Sequence, residues 1–316
     1  MSTINYVGNT PLLKIGRVTK GVPINIRAKA EHMNPGGSIK DRIALYIIRE
    51  AEEAGELSER SIILEVSSGN TGIALSMIGA ALGYKVRIML PESVSVERRK
   101  MILCYGAELE LLDSLLDMET ASNLSEERAK SEPNIFLPRQ FKNPHNTECH
   151  YQTTGLEILE QHPGRIDAFV MGVGTGGTLM GVGRRLREEY KDVQIVAVEP
   201  EESAVMSGGS PGCHGIQGLA DGFIPELVNL NEVDDVVTVS TEEATQMARL
   251  LSYHEGLLVG ISSGANIVAS IKIANTLGTD SNIVTVLPDR GERYISCWYN
   301  GEKDHIHHDT YQACCP

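Results

Sequence analysis

The strongest constraint on the fold is the alternation of short β-branched runs with longer amphipathic stretches. Runs at 61–66 (SIILEV), 85–90 (KVRIML), 107–112 (AELELL), 166–173, 193–198, 235–239 and 282–288 (NIVTVLP) read as strands. Helical patterns fill the intervals, at 38–54, 71–83, 95–104, 115–131, 146–161, 178–190, 241–254 and 264–277. Strands separated by helices cross over rather than pair as hairpins, so this order predicts an α/β fold with largely parallel sheets. Nearly unbroken apolar strands such as NIVTVLP fit sheets covered by helices on both faces. Ser240 and Glu243 have the spacing of a capping box ahead of the helix at 241.

With 316 residues the chain is long enough for two domains. The polar stretch SEPNIFLPRQFKNPHN, with its three prolines, marks the best boundary. It divides the chain into residues 1–145 and 146–316, each expected to be an open, twisted, mostly parallel sheet flanked by helices.

Charge narrows the function. The chain has 28 Lys plus Arg against 42 Asp plus Glu, a formal net charge of −14. Such a surface repels phosphate backbones and anionic lipid, which argues against nucleic-acid and membrane-surface partners. No apolar run is long enough to span a bilayer, and the N-terminus lacks the pattern of a signal peptide. The six cysteines, at 104, 149, 213, 297, 314 and 315, include no CxxC pair, and a cytoplasmic protein with reduced thiols is expected. His305, His307 and His308 near Cys314 and Cys315 read as a polar tail rather than a metal site, so no metal is expected.

Four glycine- or serine-rich segments stand at strand-to-helix turns or open a helix, where α/β sheets bind ligands. In NPGGSIKDR (34–42) a tight turn delivers Lys40 to a helix start. The positive end of the helix dipole disfavours the charged ammonium and favours the neutral amine that Schiff-base chemistry needs. In SSGNTG (67–72), Ser67, Ser68, Asn70 and Thr71 surround a second helix start, more polar groups than capping alone requires. GVGTGGT (172–178) has the form of a loop that cradles phosphate on backbone N–H groups. GISSGAN (260–266) opens a further helix with Ser262 and Ser263. Gly172, Gly174 and Gly177 also satisfy G-x-G-x-x-G, with Glu199 after the next strand. A nicotinamide-dependent dehydrogenase is therefore a rival reading, although it leaves Lys40 and Ser262 without a task. A non-catalytic binding protein is a second rival.

Taken together, these segments resemble the cysteine synthase and cystathionine β-synthase family. Residues 29–44 resemble its cofactor-lysine signature, VGNTPLLKI (7–15) its opening segment, and SSGNTG its substrate loop. QFKNPHN (140–146), TTGLEI (153–158), GVGTGGT, GISSGAN and PDRGERYIS (288–296) resemble its remaining motifs, in order along nearly the whole chain. The resemblance implies a pyridoxal-phosphate enzyme of fold type II, with the cofactor between two domains and an early segment crossing from one domain to the other. Lys40 would carry pyridoxal phosphate as a Schiff base and act as the base at Cα. Gly174, Thr175, Gly176, Gly177 and Thr178 would hold its phosphate, Asn70 its ring hydroxyl, and Ser262 would face the pyridine nitrogen. Ser67, Ser68, Thr71 and Gln140 would bind the substrate carboxylate. The implied reaction is β-replacement on O-acetyl-L-serine by sulfide, through an aminoacrylate, giving L-cysteine. A homodimer and serine acetyltransferase as a protein partner are implied with it.

Three departures keep alternatives open. Ser67 stands where the family usually has threonine, Arg290 resembles the B-type DRG motif, and Asp221 stands where a small residue is usual. A carboxylate at Asp221 would favour cystathionine formation or β-elimination on serine or cysteine, against the plainer reading of a solvated loop aspartate.

Overall fold

The structure is a computed structural model that describes residues 2–20, 24–67, 69–113, 118–220, 222–278 and 280–298. Ser68, Asp221 and the C-terminal His and Cys residues lie outside the described residues.

Among the described residues, ten strands form two sheets. In chain order they are β1 (Leu12–Ile15), β2 (Asn25–Lys29), β3 (Ile62–Val66), β4 (Lys85–Pro91), β5 (Glu108–Leu112), β6 (Ile135–Phe136), β7 (Ala168–Gly172), β8 (Gln194–Pro200), β9 (Asp235–Val239) and β10 (Asn282–Val286). The larger sheet has the order β1-β2-β10-β7-β8-β9 and the smaller β5-β4-β3-β6. Every pairing is parallel except β1 with β2. Helices α1 (Lys40–Glu53), α2 (Asn70–Leu82), α3 (Val96–Cys104), α4 (Met118–Ser131), α5 (Pro144–His150), α6 (Leu156–Gln161), α7 (Gly177–Glu189), α8 (Thr241–Leu250) and α9 (Ile261–Leu277) flank the sheets. Among the described residues, no helix is long and apolar enough to cross a membrane.

Side-chain alternation explains the two buried faces of the larger sheet. Ala168, Val170, Val196 and Val198 enter one core, while Phe169, Met171, Ile195 and Ala197 enter another on the opposite face. The smaller sheet does the same, with Ile63, Val86 and Ile88 on one side and Leu64, Val66 and Met89 on the other. The capping box at Ser240 and Glu243 forms as the spacing predicts.

The differences from the sequence reading lie where polar residues are buried. The strands β1 and β2 were not read from the sequence, because NIRAK looks like surface. Lys29 is nevertheless fully buried, with its Nζ 2.7 Å from Glu157 and 2.5 Å from the Thr10 carbonyl. Its partner lies more than a hundred residues away, so no local pattern marks it. The predicted helix 146–161 is α5 and α6 joined by a π-helical turn, Tyr151–Gly155. The proline-rich stretch at 131–146 is built in: β6 pairs with β3, and Asn143 caps α5 through its side chain.

Strand order sets the location of the site. From β7 the chain proceeds outward through β8 and β9, then returns to β10 on the other side of β7. That reversal opens a crevice at the carboxyl ends of β7 and β10, the place where open α/β sheets bind ligands.

Candidate active site

A cavity occupies that crevice, enclosing about 740 Å³ out to its open mouth. Its wall takes Gly172, Gly174, Thr175, Gly176 and Thr178 from the end of β7 and the turn after it, Pro288 from beyond β10, Lys40 from the start of α1, Asn70 and Thr71 from the start of α2, and Ser262 from the start of α9. Four helices, α1, α2, α7 and α9, thus direct their N-termini at one space.

Lys40 is the first residue of α1, and its Nζ donates to Thr175 Oγ1 at 3.4 Å. Thr175 Oγ1 also accepts from the buried Asn146 amide at 3.0 Å. Thr178 Oγ1 lies 3.1 Å from His150 Nε2, and His150 Nδ1 lies 2.9 Å from Thr154 Oγ1. Burial holds the His150 pKa well below its ordinary value, so the ring is a neutral hydrogen-bonding partner. The loop backbone is closely packed: a Cβ on Gly174 would sit 2.4 Å from the Gly218 carbonyl, and one on Gly177 2.0 Å from Asn146 Oδ1. Side chains are thereby kept out of the cradle.

On the opposite wall, Thr71 Oγ1 donates to Gln140 Oε1 at 2.5 Å, and Gln140 Nε2 donates to the Val66 carbonyl at 3.1 Å. Gln140 N donates to Glu65 Oε2 at 3.2 Å, and burial pushes the Glu65 carboxyl up to about 7. Asn70 Nδ2 donates to Asp289 Oδ2 at 2.6 Å, while Asn70 Oδ1 accepts from Arg293.

Of the predicted residues, Lys40, Asn70, Thr71, Gln140, Gly174, Thr175, Gly176, Thr178 and Ser262 come together on this wall. Gly177 backs the loop as the first residue of α7. Ser67 is buried behind its loop, where its Oγ accepts from the Gly69 and Gly72 amides, each at 3.0 Å. Glu199 is also placed elsewhere: its carboxylate accepts from the Met206 and Ser207 amides at 2.8 and 2.9 Å, which shapes a surface turn. The acidic residue of the dinucleotide fingerprint is therefore committed outside the pocket, and the dehydrogenase reading loses its ribose ligand. Arg290 is exposed and donates to the His32 carbonyl at 2.9 Å, so it staples loops rather than lining the cavity.

Sequence reasoning missed Arg98, Phe141, Gln217 and His150. Arg98 lies on the cavity wall, donates to Gln217 and stacks 4.6 Å from the Tyr294 ring centre. Nothing in SVERRK separates Arg98 from its neighbour Arg99, except that helical phase turns Arg98 inward. His150 carried a weak signal, since it stands just before the TTGLEI motif.

The donor set suits pyridoxal phosphate. A helix-start cradle closed to side chains takes a phosphate, a lysine amine lies beside it, and a serine hydroxyl opens the neighbouring helix. The chain matches the sequence profile described as pyridoxal-phosphate dependent enzyme over residues 4–289.

The chain belongs to the pyridoxal-phosphate dependent enzymes.

It is 48% identical over 291 residues to a cysteine synthase of Staphylococcus aureus (strain Mu50), covering 92% of this chain and 94% of that protein. Among solved structures it resembles a cysteine synthase from Entamoeba histolytica, with TM-score 0.89 and 39% identity over 96% of this chain and 92% of that one. It equally resembles an O-acetylserine dependent cystathionine β-synthase from Helicobacter pylori, with TM-score 0.89 and 37% identity over 94% and 97% of the two chains. The pyridoxal-phosphate family fold accounts for the two mostly parallel sheets and for the cavity at the strand-order reversal.

Proposed function

We propose that this chain makes L-cysteine from O-acetyl-L-serine and sulfide by β-replacement. One observation carries the reading: the Lys40 amine reaches Thr175 of the phosphate cradle while Thr71 and Gln140 form the facing wall. The base and the substrate's anchoring groups thus flank one space. The 48% identical cysteine synthase supports the choice of reaction.

Bound pyridoxal phosphate supplies an electron sink conjugated to the amino acid's Cα. The Gly174–Thr178 loop would hold its phosphate, Asn70 would bond its ring oxygen, and Ser262 would face its pyridine nitrogen. A serine there cannot keep that nitrogen protonated as a carboxylate would, which moderates the sink and suits loss of a β-leaving group. The α2 N-terminus, with Thr71 and Gln140, orients the substrate carboxylate. Ser67 holds that loop in shape from behind. Lys40 takes the Cα proton, acetate leaves from Cβ, sulfide adds at Cβ, and Lys40 returns the proton to Cα. One lysine serves both halves, so Lys40→Ala should lower turnover by roughly 10³-fold or more while the protein stays folded. Cysteine formation and circular dichroism measured side by side test this; retained activity would remove Lys40 from the mechanism.

A second reading is cystathionine formation or β-elimination on serine or cysteine. Arg98 on the cavity wall favours it, because a guanidinium suits a thiol nucleophile that carries its own carboxylate. Rates with sulfide and with homocysteine, at fixed O-acetylserine, separate the two. The same proposal includes a cytoplasmic homodimer that engages serine acetyltransferase. The free thiols of Cys104, Cys149 and Cys213 are consistent with a reducing compartment.

A further inference from the structure

The motif PDRGERY (288–294) has no task in the reaction described above, yet it touches three of the site's four turns. Its backbone bridges Ser38, two residues before Lys40, and the Asp289 carbonyl accepts from Gly260 N at 3.0 Å, two residues before Ser262. Its side chains reach the third turn. Asn70 Nδ2 donates to Asp289 Oδ2 at 2.6 Å, and Arg293 donates both to Asn70 Oδ1 and to the Gly36 carbonyl. Asp289 is fully buried and Arg293 is 2% exposed. Tyr294 Oη donates to the same Asp289 oxygen at 2.5 Å, which fixes the carboxylate in turn.

These bonds decide which way the Asn70 amide points. A side-chain amide can present either its oxygen or its NH₂ group to a given neighbour. Here a carboxylate, which only accepts, lies against the NH₂ end, and a guanidinium, which only donates, lies against the oxygen. Turning the amide over would set NH₂ against Arg293 and oxygen against Asp289, two repulsive contacts in a buried setting. The amide oxygen is committed to Arg293. The NH₂ group keeps a second hydrogen beyond the one given to Asp289, on a residue that lines the cavity.

We propose that Asp289 and Arg293 are positioning residues that lock Asn70 as a hydrogen-bond donor toward the cofactor's ring oxygen. A donor there favours the deprotonated ring oxygen, which keeps electron density in the conjugated system that the reaction uses. The proposal rests on the reading that Asn70 meets that oxygen.

The test is the absorption spectrum of the purified holoenzyme, without substrate, at one fixed pH. The ratio of visible to near-ultraviolet absorbance reports the state of the ring oxygen. Asn70→Ala tests the underlying reading, and an unchanged spectrum in that variant overturns it. With Asn70→Ala altered, Asp289→Ala and Arg293→Met should each lower the ratio by about twofold or more. Asp289→Asn, which can still offer an oxygen to Asn70, should restore most of it. If Asn70→Ala changes the ratio while Asp289→Ala and Arg293→Met leave it at the wild-type value, the locking role is wrong. If Asp289→Ala does not fold, Arg293→Met decides, since it removes the other half of the lock and keeps the aliphatic stem. An Asp289→Asn ratio as low as that of Asp289→Ala also counts against the proposal.

Discussion

Two turns of the site solve the same problem by opposite means. Both the Gly174–Thr178 turn and the turn ahead of Asn70 open a helix toward the cavity. The first is shaped by its backbone. Its glycines lie against Gly218, Val228 and Asn146, so the turn offers its backbone and the hydroxyls of Thr175 and Thr178. The second is shaped by its side chains. Ser67 binds two amides of its own loop, Thr71 holds Gln140, Gln140 rests on Glu65, and Asn70 is gripped by Asp289 and Arg293. A backbone cradle is rigid and indifferent to pH. A side-chain scaffold can be tuned, one substitution at a time, and contains a group that titrates.

The comparison can be broken most severely at Gly174. Gly174→Ala puts a methyl 2.4 Å from a main-chain carbonyl, which cannot swing aside. It should cost about 1–3 kcal/mol of stability and abolish cofactor retention on gel filtration. Survival of a fully loaded holoenzyme would show the cradle to be softer than its packing implies. Thr71→Val should act more gently, leaving the Gln140 oxygen without its 2.5 Å partner at a cost of about 1–2 kcal/mol. The cofactor spectrum should stay unchanged while KM for the amino-acid donor rises. A spectral change instead of a KM change would mean the two turns are not separable.

The smallest effect comes from Glu65. Burial raises its carboxyl from 4.5 to about 7, so the folded protein holds a proton that the unfolded chain releases. The sign follows: this contribution to stability is complete below about 4.5 and is lost as pH rises through about 7. Glu65→Gln should flatten that part of the thermal-stability profile, by about 2 °C or more at the alkaline end. His150, held neutral by burial beside Thr178, gives a slope of the opposite sign: its contribution is complete above about 6.5 and falls away as pH drops below that value. An unflattened profile in Glu65→Gln would place the titrating group elsewhere.

What the sequence could reveal tracks where the information is stored. Strands such as AFVMG and NIVTV were legible because burial on both faces leaves an unbroken apolar run. The Gly174–Thr178 turn was legible because its three glycines leave no room for a side chain. The side-chain scaffold was only half legible. Thr71 and Gln140 were expected at the site, yet neither motif indicates that one donates to the other. Ser67 was assigned to substrate but turns inward, since a hydroxyl serves a loop amide as readily as a carboxylate. Arg98, Gln217 and His150 were missed because their meaning arises from contacts between distant segments. Lys29 was missed for the same reason: a buried cation looks like a surface one until Glu157 is set beside it.

The parallel pairing of β2 with β10 has a consequence for how the chain is made. Residues 25–29 emerge early from the ribosome, but their partner strand is residues 282–286. The smaller sheet, whose strands span residues 62–136, has all its partners at hand once residue 136 is made. The larger sheet must wait for nearly the last segment, holding the open edge of β2 unpaired while some 250 residues are added at roughly 5–20 per second. Among the strand pairings it closes the longest stretch of chain, and such long-range contacts form slowly. The waiting edge belongs to a strand that carries Arg27 and Lys29, charges that discourage a wrong partner.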